Sequence, residues 1–426
     1  MPAAPEPPGS RGSGSDADLR VGYLIPEFPG QTHTWIWREI VWMRRFGVSV
    51  ELFSTRRPPA RDAARHAFAD EARRLTFYLS PMGFLGATAA LFWGLLHPWG
   101  LFRSIGLALR LPVDKGPRWK RVLPLVLPAC RFAREVRRRG IQRLHAHSCA
   151  SSAILCMMVR RLTGVPFSMT LNADVGWWGG AMAEKMADAD FTIAITQRLL
   201  EEAKGTAPDL RPDQILLGRI GVDTSAWAPG GNRAPSPVRR IASVSRLHYF
   251  KGHDTLIQAV EILAGRGIKL ELRIAGEGPQ RQELEDQVAR AGLKETVTFL
   301  GSLPEERIID LLEWADVFVL ASHAEPLGVV YMEAMSMQVP VVGTNAGGVT
   351  EIITDGVDGL LVAPKDPQAL AAAIEKVLAD GGLRIRLALA ARKTIIQRFD
   401  SRIGAATLYE RMKGTPPVVR DAAKHS

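Results

Sequence analysis

The chain has 426 residues, of which 46% are hydrophobic and 23% charged, and its formal net charge is +10. This composition is that of a globular protein, and the length exceeds the usual limit of a single hydrophobic core, so two domains are expected. The three cysteines, Cys130, Cys149 and Cys156, have no metal-like spacing, which excludes a disulfide framework and a cysteine zinc site.

The first 18 residues are rich in Pro, Gly and Ser, and we expect them to form a disordered tail. They lack the basic start and the apolar core of a secretory signal. Together with the cysteine usage, this favours a protein of the reducing cytoplasm.

Strands and helices alternate after the tail. Apolar runs with β-branched residues predict strands at 21–25, 48–54, 143–147, 167–171 and 191–194. Helices are predicted at 34–46 and 151–163. This alternation is typical of βαβ units and predicts a parallel sheet.

A long insertion at 78–143 interrupts this alternation. Residues 78–102 contain no Asp, Glu, Lys or Arg but include Trp93 and Trp99, and residues 101–150 then hold 12 basic and two acidic side chains. The positive charge of the chain is concentrated in this half, because residues 19–220 hold 29 Lys and Arg against 16 Asp and Glu, whereas residues 221–426 hold 24 against 25.

Three interpretations of the insertion remain open. A membrane span needs about 20 apolar residues, and His97-Pro98 interrupts the apolar run. The segment can instead form ordinary helices packed on the domain, or dock peripherally on an anionic membrane through its tryptophans and arginines. No recognised nucleic-acid-binding motif accompanies the arginines, so no nucleic-acid partner is expected.

A connector rich in Pro and Gly at 227–237 precedes a second alternation of strands and helices. The predicted strands are at 240–244, 269–275, 296–300, 316–321 and 339–343, and the predicted helices at 253–265, 279–291, 304–313 and 329–337. We therefore predict an α/β protein of two doubly wound, Rossmann-like domains. Ligands of such domains bind at the carboxyl ends of the strands, here in the cleft between the domains.

Candidate phosphate-binding residues follow the first two strands of the second half. Arg246 and Lys251 share a loop beside a helix start, which suits a pyrophosphate leaving group. Gly276 and Gly278 form a tight loop that lets a ligand approach closely. The third glycine of a dinucleotide fingerprint is missing, which argues against a nicotinamide oxidoreductase.

Two glutamates, Glu325 and Glu333, stand eight positions apart where a buried strand turns into a helix. Glu325 would lie on the turn, whose free N–H groups favour a diphosphate. Glu333 would lie further along the helix and could accept hydrogen bonds from vicinal hydroxyls. The segment predicts a site for an activated sugar.

Together these residues resemble the retaining family-4 glycosyltransferases of GT-B fold, over roughly residues 19–413. The resemblance rests on five blocks in the family's order: G-R-I-G-V-D at 218–223, V-S-R-L-H-Y-F-K-G-H-D at 244–254, I-A-G-E-G-P at 274–279, the two-glutamate segment at 325–333, and G-G-V-T-E-I-I at 347–353 with D-G-V-D-G-L-L-V at 355–362. The stretch at 23–40 is similar to the subset that builds exopolysaccharide, colanic-acid-like or lipopolysaccharide chains.

The resemblance implies a catalytic set of Arg246, Lys251 and Glu325. The two cations would hold the donor diphosphate and stabilise charge on the departing nucleotide, and Glu325 would contact hydroxyls of the transferred sugar. Transfer of the hexose would retain the anomeric configuration by front-face attack, in which the leaving phosphate helps to deprotonate the acceptor. That scheme requires neither a metal nor another cofactor, and no metal-ligand cluster is legible in the sequence.

The resemblance also implies a substrate-binding set. Backbone N–H groups around Leu327, Gly328 and Val329 would contact the sugar and the phosphate, and Glu333 would hold the nucleotide ribose. UDP is the commoner nucleotide in such families, ahead of GDP. The acceptor would be a glycan or a polyprenyl-linked oligosaccharide, presented at the inner face of the cell membrane.

One position departs from the family pattern. Many relatives carry a histidine near the donor sugar where this chain has Asn172, and an amide donates a hydrogen bond but supplies neither a proton nor a positive charge. Either that role is dispensable, or His147 or Asp174 compensates. His33, on the loop after the first strand, is a further candidate.

The predicted organisation places an acceptor-binding domain at 19–226, the linker at 227–237, the nucleotide-sugar domain at 238–396, a helix returning toward the first domain at 397–413, and a flexible tail at 414–426. Two alternative functions would use the same cleft. One is a non-catalytic membrane scaffold that holds a nucleotide sugar, and the other is a GT-B sugar epimerase, which would need further acid and base carboxylates.

Overall fold

The computed structural model describes residues 19–59, 63–114, 118–231 and 238–418. The tail predicted at 1–18, residues 232–237 of the connector and residues 419–426 lie outside this part of the chain. Within it, no helix combines the length and the apolar character needed to cross a membrane.

The first half forms a parallel sheet of seven strands in the order β3-β2-β1-β4-β5-β6-β7. The strands are β1 (Arg20–Ile25), β2 (Ser49–Ser54), β3 (Thr76–Tyr78), β4 (Arg143–His147), β5 (Phe167–Leu171), β6 (Thr192–Ala194) and β7 (Ile215–Leu217). The strand order reverses between β1 and β4, which opens a crevice at their carboxyl ends.

The second half forms a parallel sheet of six strands in the order β10-β9-β8-β11-β12-β13. The strands are β8 (Arg239–Val244), β9 (Leu270–Ala275), β10 (Val297–Gly301), β11 (Val317–Leu320), β12 (Val341–Thr344) and β13 (Leu360–Val362). Its order reverses between β8 and β11. The predicted α/β class with two doubly wound sheets is confirmed.

Helices cover both sheets. In the first half they are α1 (Thr34–Arg45), α2 (Ala69–Leu75), α3 (Phe84–Leu95), α4 (Pro98–Arg110), α5 (Arg118–Val122), α6 (Val126–Arg138), α7 (Ser151–Thr163), α8 (Met182–Asp188) and α9 (Gln197–Thr206). In the second half they are α10 (His253–Gly265), α11 (Arg281–Arg290), α12 (Glu305–Trp314), α13 (Val329–Ser336), α14 (Val349–Ile352), α15 (Pro367–Ala379), α16 (Gly381–Arg398) and α17 (Ser401–Lys413).

The last helix, α17, packs on α1 of the first half. The Trp42 ring nitrogen donates to the Ser401 hydroxyl at 3.0 Å, and the rings of Phe46 and Tyr409 meet edge to face at 5.6 Å. Helix α17 is therefore fixed to the first domain.

The predicted elements are present, and their ends differ by a few residues. The strand predicted at 339–343 begins only at Val341, after Pro340, because proline cannot donate to a sheet ladder. Three strands were not predicted, namely β3, β7 and β13, which are edge strands of three residues each. So short a strand carries too little alternation to be recognised in a sequence.

The insertion at 78–143 forms helices whose inner faces pack on the first domain. Helix α3 packs on α6, and α4 packs on α7. The break at His97-Pro98 falls where predicted, between α3 and α4. The buried faces are lined by small residues, among them Gly94, where an added Cβ would lie 2.8 Å from the Cys130 sulfur.

The outer faces of α3 and α4 expose large apolar side chains, and we call this surface the apolar face. Phe84 and Leu85 are each 82% exposed and Trp99 is 79% exposed. The exposed large apolar residues of the two helices are Phe84, Leu85, Leu91, Phe92, Leu95, Leu96, Trp99, Phe102 and Leu109. Arg103 and Arg110 of α4 are exposed beside them.

The expectation for the other residues of the insertion needs correction. Trp93 does not lie on the apolar face, because its half-buried ring stacks on that of His97 at a centroid distance of 3.9 Å. Much of the basic stretch serves the fold itself. Arg131 donates to the Leu79 carbonyl at 2.9 Å, Arg137 to the Thr163 carbonyl, and Arg138 and Arg139 both pair with Glu135.

Candidate functional site

The candidate site lies at the switch point of the second sheet, where the loops after β8 and β11 are neighbours because these strands pair directly. Arg246 and Lys251 follow β8, and Glu325 follows β11. The backbone N–H of His323 donates to the carbonyl of Phe250 at 2.8 Å, which joins the two loops. Residues 74 positions apart in sequence therefore meet in one crevice.

Lys251 and Glu325 form a buried ion pair. The Lys251 ammonium nitrogen lies 2.5 Å from Glu325 Oε2, and their side chains are 13% and 6% exposed. The Ser322 hydroxyl donates to the same carboxylate oxygen at 3.2 Å. The pair combines a cation suited to a phosphate with a carboxylate suited to hydroxyl groups.

Arg246 lies on the same loop as Lys251 and is exposed. Its guanidinium makes none of the hydrogen bonds or ion pairs found within the described residues, whereas its backbone is fixed by bonds on either side, including the Leu247 N–H to the Glu277 carbonyl at 2.9 Å. A fixed backbone with an uncommitted cation suits the binding of an anionic ligand.

Gly276 and Gly278 lie after β9 as predicted, but their role in the structure is packing. Gly276 has φ +148°, and a Cβ there would lie 1.8 Å from the Ser245 carbonyl oxygen; a Cβ on Gly278 would lie 2.2 Å from the Leu247 carbonyl oxygen. Only glycine lets this loop approach the backbone on both sides of Arg246.

The turn after Glu325 leads into α13. Leu327 is buried, Gly328 precedes the helix with φ +93°, and Val329 is its first residue. The Gly348 N–H donates to the Glu325 carbonyl at 2.9 Å, and this bond fixes the turn. Within the described residues, no side chain caps the first N–H groups of this eight-residue helix, which begins four residues after Glu325.

Glu333 lies one turn into α13, where it meets an arginine of the first domain. Arg38, on α1, donates through Nη2 to Glu333 Oε1 at 2.8 Å and to Glu305 Oε2 at 3.3 Å. Both Arg38 and Glu333 are buried. Burial raises the pKa of Glu333 above its usual value, and the charge of Arg38 opposes part of that rise.

A second contact between the two halves involves Glu351 of the G-G-V-T-E-I-I block. Its two carboxylate oxygens accept the backbone N–H groups of Gln197 at 2.7 Å and Arg198 at 3.0 Å, at the start of α9. A carboxylate at a helix N-terminus is stabilised by the free N–H groups and the helix dipole. This bond and the Arg38 contacts hold the domains together around the crevice.

The candidate binding residues of the first domain lie in environments that suit ligand binding less well. Asn172 follows β5, and its Oδ1 is buried without a hydrogen-bond partner among the described residues. His33 accepts the Gly30 N–H through Nδ1 at 3.0 Å, and burial lowers the pKa of His33 to about 4, so it is neutral near pH 7. His147 is buried, and Asp174 is exposed and paired with Arg198.

The structure brings together one group that the sequence did not indicate. Glu39, His145 and His147 lie with one potential metal-ligand atom each within 4.8 Å of one another. The expectation of no metal-ligand cluster is therefore corrected, since Glu39 comes from α1 and the histidines come from β4. His145 is already bonded through both ring nitrogens to the hydroxyls of Ser168 and Thr170, and His147 to Glu39 at 3.0 Å. The Nδ1 atom of His147 is buried without a hydrogen-bond partner among the described residues, so the bonds within the group are incomplete.

The second half is matched by a family model. Residues 230–394, which hold β8 to β13 and the Lys251–Glu325 pair, match the glycosyl transferases group 1. The α-D-kanosaminyltransferase of Streptomyces kanamyceticus is 37% identical over 286 residues, which are 61% of this chain and 73% of that protein. The chain belongs to the group 1 glycosyltransferases.

Other relatives of this group 1 glycosyltransferase match a smaller part of their own length. A glycogen synthase of Mycobacterium tuberculosis is 32% identical over 55% of this chain and 60% of that protein. A putative colanic acid biosynthesis glycosyltransferase, WcaL of Salmonella typhimurium, is 34% identical over 38% of this chain and 41% of that protein. The chain thus spans less than two thirds of these two relatives.

Solved structures extend the likeness over both domains. Anabaena HepE in complex with UDP-glucose superposes with a TM-score of 0.69 at 19% identity, covering 93% of this chain and all of that one. The fold is GT-B, as predicted, with two Rossmann-like domains that face one another.

Proposed function

We propose that this group 1 glycosyltransferase moves a hexose from a nucleotide sugar to a glycan or a lipid-linked oligosaccharide in bacterial-type polysaccharide biosynthesis. The observation that supports this proposal is the contact of Lys251 with Glu325 at the switch point of the second sheet, on loops of which one also carries Arg246. Such a crevice is where open α/β sheets bind their ligands.

The charges of the crevice match a nucleotide diphosphate sugar. Arg246 and Lys251 would hold the diphosphate and stabilise the charge that develops on it as the sugar departs. Glu325, fixed by Lys251 and Ser322, would accept hydrogen bonds from hydroxyls of the sugar. Glu333 would accept those of the ribose.

The donor is proposed to be a UDP-sugar ahead of a GDP-sugar. HepE of Anabaena, which shares the fold, binds UDP-glucose in its solved structure. In this chain the backbone N–H groups at the start of α13, from Leu327 to Val329, would add to the two cations on the phosphate side.

We also propose that the transfer retains the anomeric configuration and needs no metal, as the family resemblance implies. Glu325 is engaged by Lys251 and Ser322, which suits a binding role better than that of a nucleophile. The leaving phosphate would then accept the acceptor's proton on the face from which it departs. The two cations supply the positive charge that a metal provides in other transferases.

The acceptor is proposed to be presented at the inner face of the cell membrane. The apolar face of α3 and α4 belongs to the first domain and exposes Trp99 and Phe102 beside Arg103 and Arg110. Aromatic side chains next to cations are typical of surfaces that lie in an anionic lipid interface. The likeness to the WcaL protein supports an acceptor of polysaccharide biosynthesis.

The experiment that tests the donor proposal is a thermal-shift screen of UDP, GDP and their sugar conjugates. A ligand at 100 times its dissociation constant stabilises the folded state by about 2.7 kcal/mol. Stabilisation by one nucleotide family, and not by inorganic phosphate at equal concentration, is the expected result. A protein that no nucleotide stabilises would not be a nucleotide-sugar enzyme.

A scaffold that holds a nucleotide sugar without turning it over would pass this screen. It is distinguished by turnover, because a scaffold releases no nucleotide from its donor. An epimerase is distinguished by its product, which would be a free or nucleotide-linked sugar of altered configuration and not a glycoside.

A further inference from the structure

Arg38 is a residue of the first domain that is committed to carboxylates of the second. Its guanidinium lies between Glu333 Oε1 at 2.8 Å and Glu305 Oε2 at 3.3 Å, and it also lies over the ring of Trp227 at 5.4 Å. Arg38 and Glu333 are both 8% exposed. The contact is thus a buried ion pair between elements 295 residues apart in sequence.

The bond between Arg38 and Glu333 uses only some of the hydrogen-bonding atoms of the two side chains. Its Nη2 engages Glu333 through Oε1, so the bond to Arg38 does not use the second carboxylate oxygen, Oε2. The Nη1 atom of Arg38 is buried and has no hydrogen-bond partner among the described residues. A buried donor left without an acceptor is costly, which indicates that an acceptor belongs there.

We propose that Arg38 is a positioning residue for the nucleotide, which fixes Glu333 from the opposite domain so that its Oε2 receives the ribose hydroxyls. This inference rests on the proposed function, in which Glu333 holds the ribose. It adds that ribose recognition depends on the first domain, through an arginine outside all the motifs of the second.

The reason is the cost of holding a carboxylate in place inside a protein. Glu333 is buried, and burial raises its pKa, so without a cation it would take up a proton more readily or turn toward water. The charge of Arg38 opposes that rise in pKa, and its hydrogen bond holds the carboxylate in place. A neutral or misoriented Glu333 would still fill its space, but it would no longer distinguish a ribose hydroxyl from a hydrogen atom.

The test compares each ribonucleotide with its 2′-deoxy form. Isothermal titration calorimetry would measure UDP and GDP, and 2′-deoxy-UDP and 2′-deoxy-GDP, on wild type, Arg38→Met and Arg38→Lys. Wild type is expected to bind its ribonucleotide about 10- to 100-fold more tightly than the deoxy form, the factor contributed by one hydrogen bond to a charged group. Arg38→Met should bring this ratio close to one, mainly by weakening the ribonucleotide, and should raise the donor KM more than it lowers kcat.

The matched control is Arg44→Met, which removes an arginine on the same helix that pairs with Glu71 inside the first domain. It should leave the ratio unchanged. Arg38→Lys keeps the charge with a different donor geometry and should give an intermediate ratio, and it carries the test if Arg38→Met does not fold.

The outcomes separate this inference from the function on which it rests. An Arg38→Met variant that keeps the wild-type ratio, or weakens both forms equally, overturns the positioning role while the donor proposal stands. The same holds for a wild type that binds both forms equally well. A wild type that binds neither UDP nor GDP overturns the proposed function, and the inference falls with it.

Discussion

The ammonium group of Lys251 and the carboxylate of Glu325 lie 2.5 Å apart, each shielded from water. A buried pair of this kind gains little stability as a whole, but removal of one partner leaves a charge uncompensated. Both residues are proposed to contact the donor, one at its diphosphate and one at its sugar. The ion pair therefore holds both charged groups in place until a ligand forms bonds with them.

This ion pair predicts that a second substitution can restore stability without restoring activity. Lys251→Met should lower the free energy of unfolding by about 3–5 kcal/mol, the usual cost of a broken buried pair. Adding Glu325→Gln should restore part of that stability, because the buried charge is gone, without restoring sugar transfer. Urea denaturation and a transfer assay on the single and double variants check this. A double variant as active as wild type would contradict both site assignments.

Stereochemistry and metal dependence provide a second prediction. With an α-linked nucleotide sugar as donor, the product should carry an α linkage, and EDTA should leave the rate unchanged, because Arg246 and Lys251 supply the charge at the diphosphate. Anomeric proton couplings in the NMR spectrum of the product report the linkage. A β-linked product would be inconsistent with retention, and loss of activity in EDTA that Mg²⁺ restores would show that the two cations do not suffice.

The partly buried His33 predicts how stability varies with pH. His33 has a pKa of about 4 in the folded protein against an ordinary value of about 6.5, so between these values the unfolded chain binds more protons than the folded one. Its contribution is complete above about pH 6.5 and is lost as the pH falls toward 4, by at most about 1.4 kcal/mol per pH unit. His33→Asn, whose side-chain oxygen can still accept the Gly30 N–H, should flatten this decline. Chemical denaturation between pH 4.5 and 7 measures it, and an unchanged slope would show that other groups cause it.

The apolar face predicts membrane binding that needs both its aromatic and its basic residues. Wild type should sediment with vesicles that contain anionic lipid, and less so at high salt, because each Lys or Arg near such a surface contributes about 1 kcal/mol that salt screens. Trp99→Ser with Phe102→Ser should weaken binding at every salt concentration, and Arg103→Gln with Arg110→Gln should weaken it mainly at low salt.

The control for this experiment is Arg307→Gln, which changes an exposed arginine on α12 of the second domain. It should bind vesicles as wild type does. Equal recovery of wild type with neutral and anionic vesicles would identify the apolar face as something other than a surface for anionic lipid.

The sequence predicted what depends on local pattern. Arg246 and Lys251 follow β8 and Glu325 follows β11, and the parallel pairing of these two strands brings the loops after them to one edge of the sheet. The contacts between the two domains could not be predicted, because they leave no local pattern in the sequence. Arg38 lies among large apolar residues of α1, and neither it nor Glu333 indicates its partner.

The insertion at 78–143 also has features that the sequence could not predict. Its composition predicted apolar helices with arginines, but composition does not say which side of a helix is buried. The structure assigns Trp93 of α3 to a stack with His97 and Trp99 of α4, six residues further on, to the surface. The arginines of α6 bond to carbonyls, which only the packing of α6 decides, and to Glu135, which lies three and four residues before Arg138 and Arg139 on the same helix.

The central claim is that Arg246 and its neighbours act on a nucleotide sugar, and release of the nucleotide from a panel of UDP- and GDP-sugars tests it most directly. Wild type should release the nucleotide from at least one donor, faster when an acceptor is present. Arg246→Ala should lower that rate about 100- to 1000-fold, as the loss of a donor aimed at developing charge does, with the free energy of unfolding unchanged, since its guanidinium is exposed. Arg307→Ala, which changes an exposed arginine paired with Asp310, should match wild type. Release at the wild-type rate by Arg246→Ala, or no release from any donor by wild type, would contradict the account.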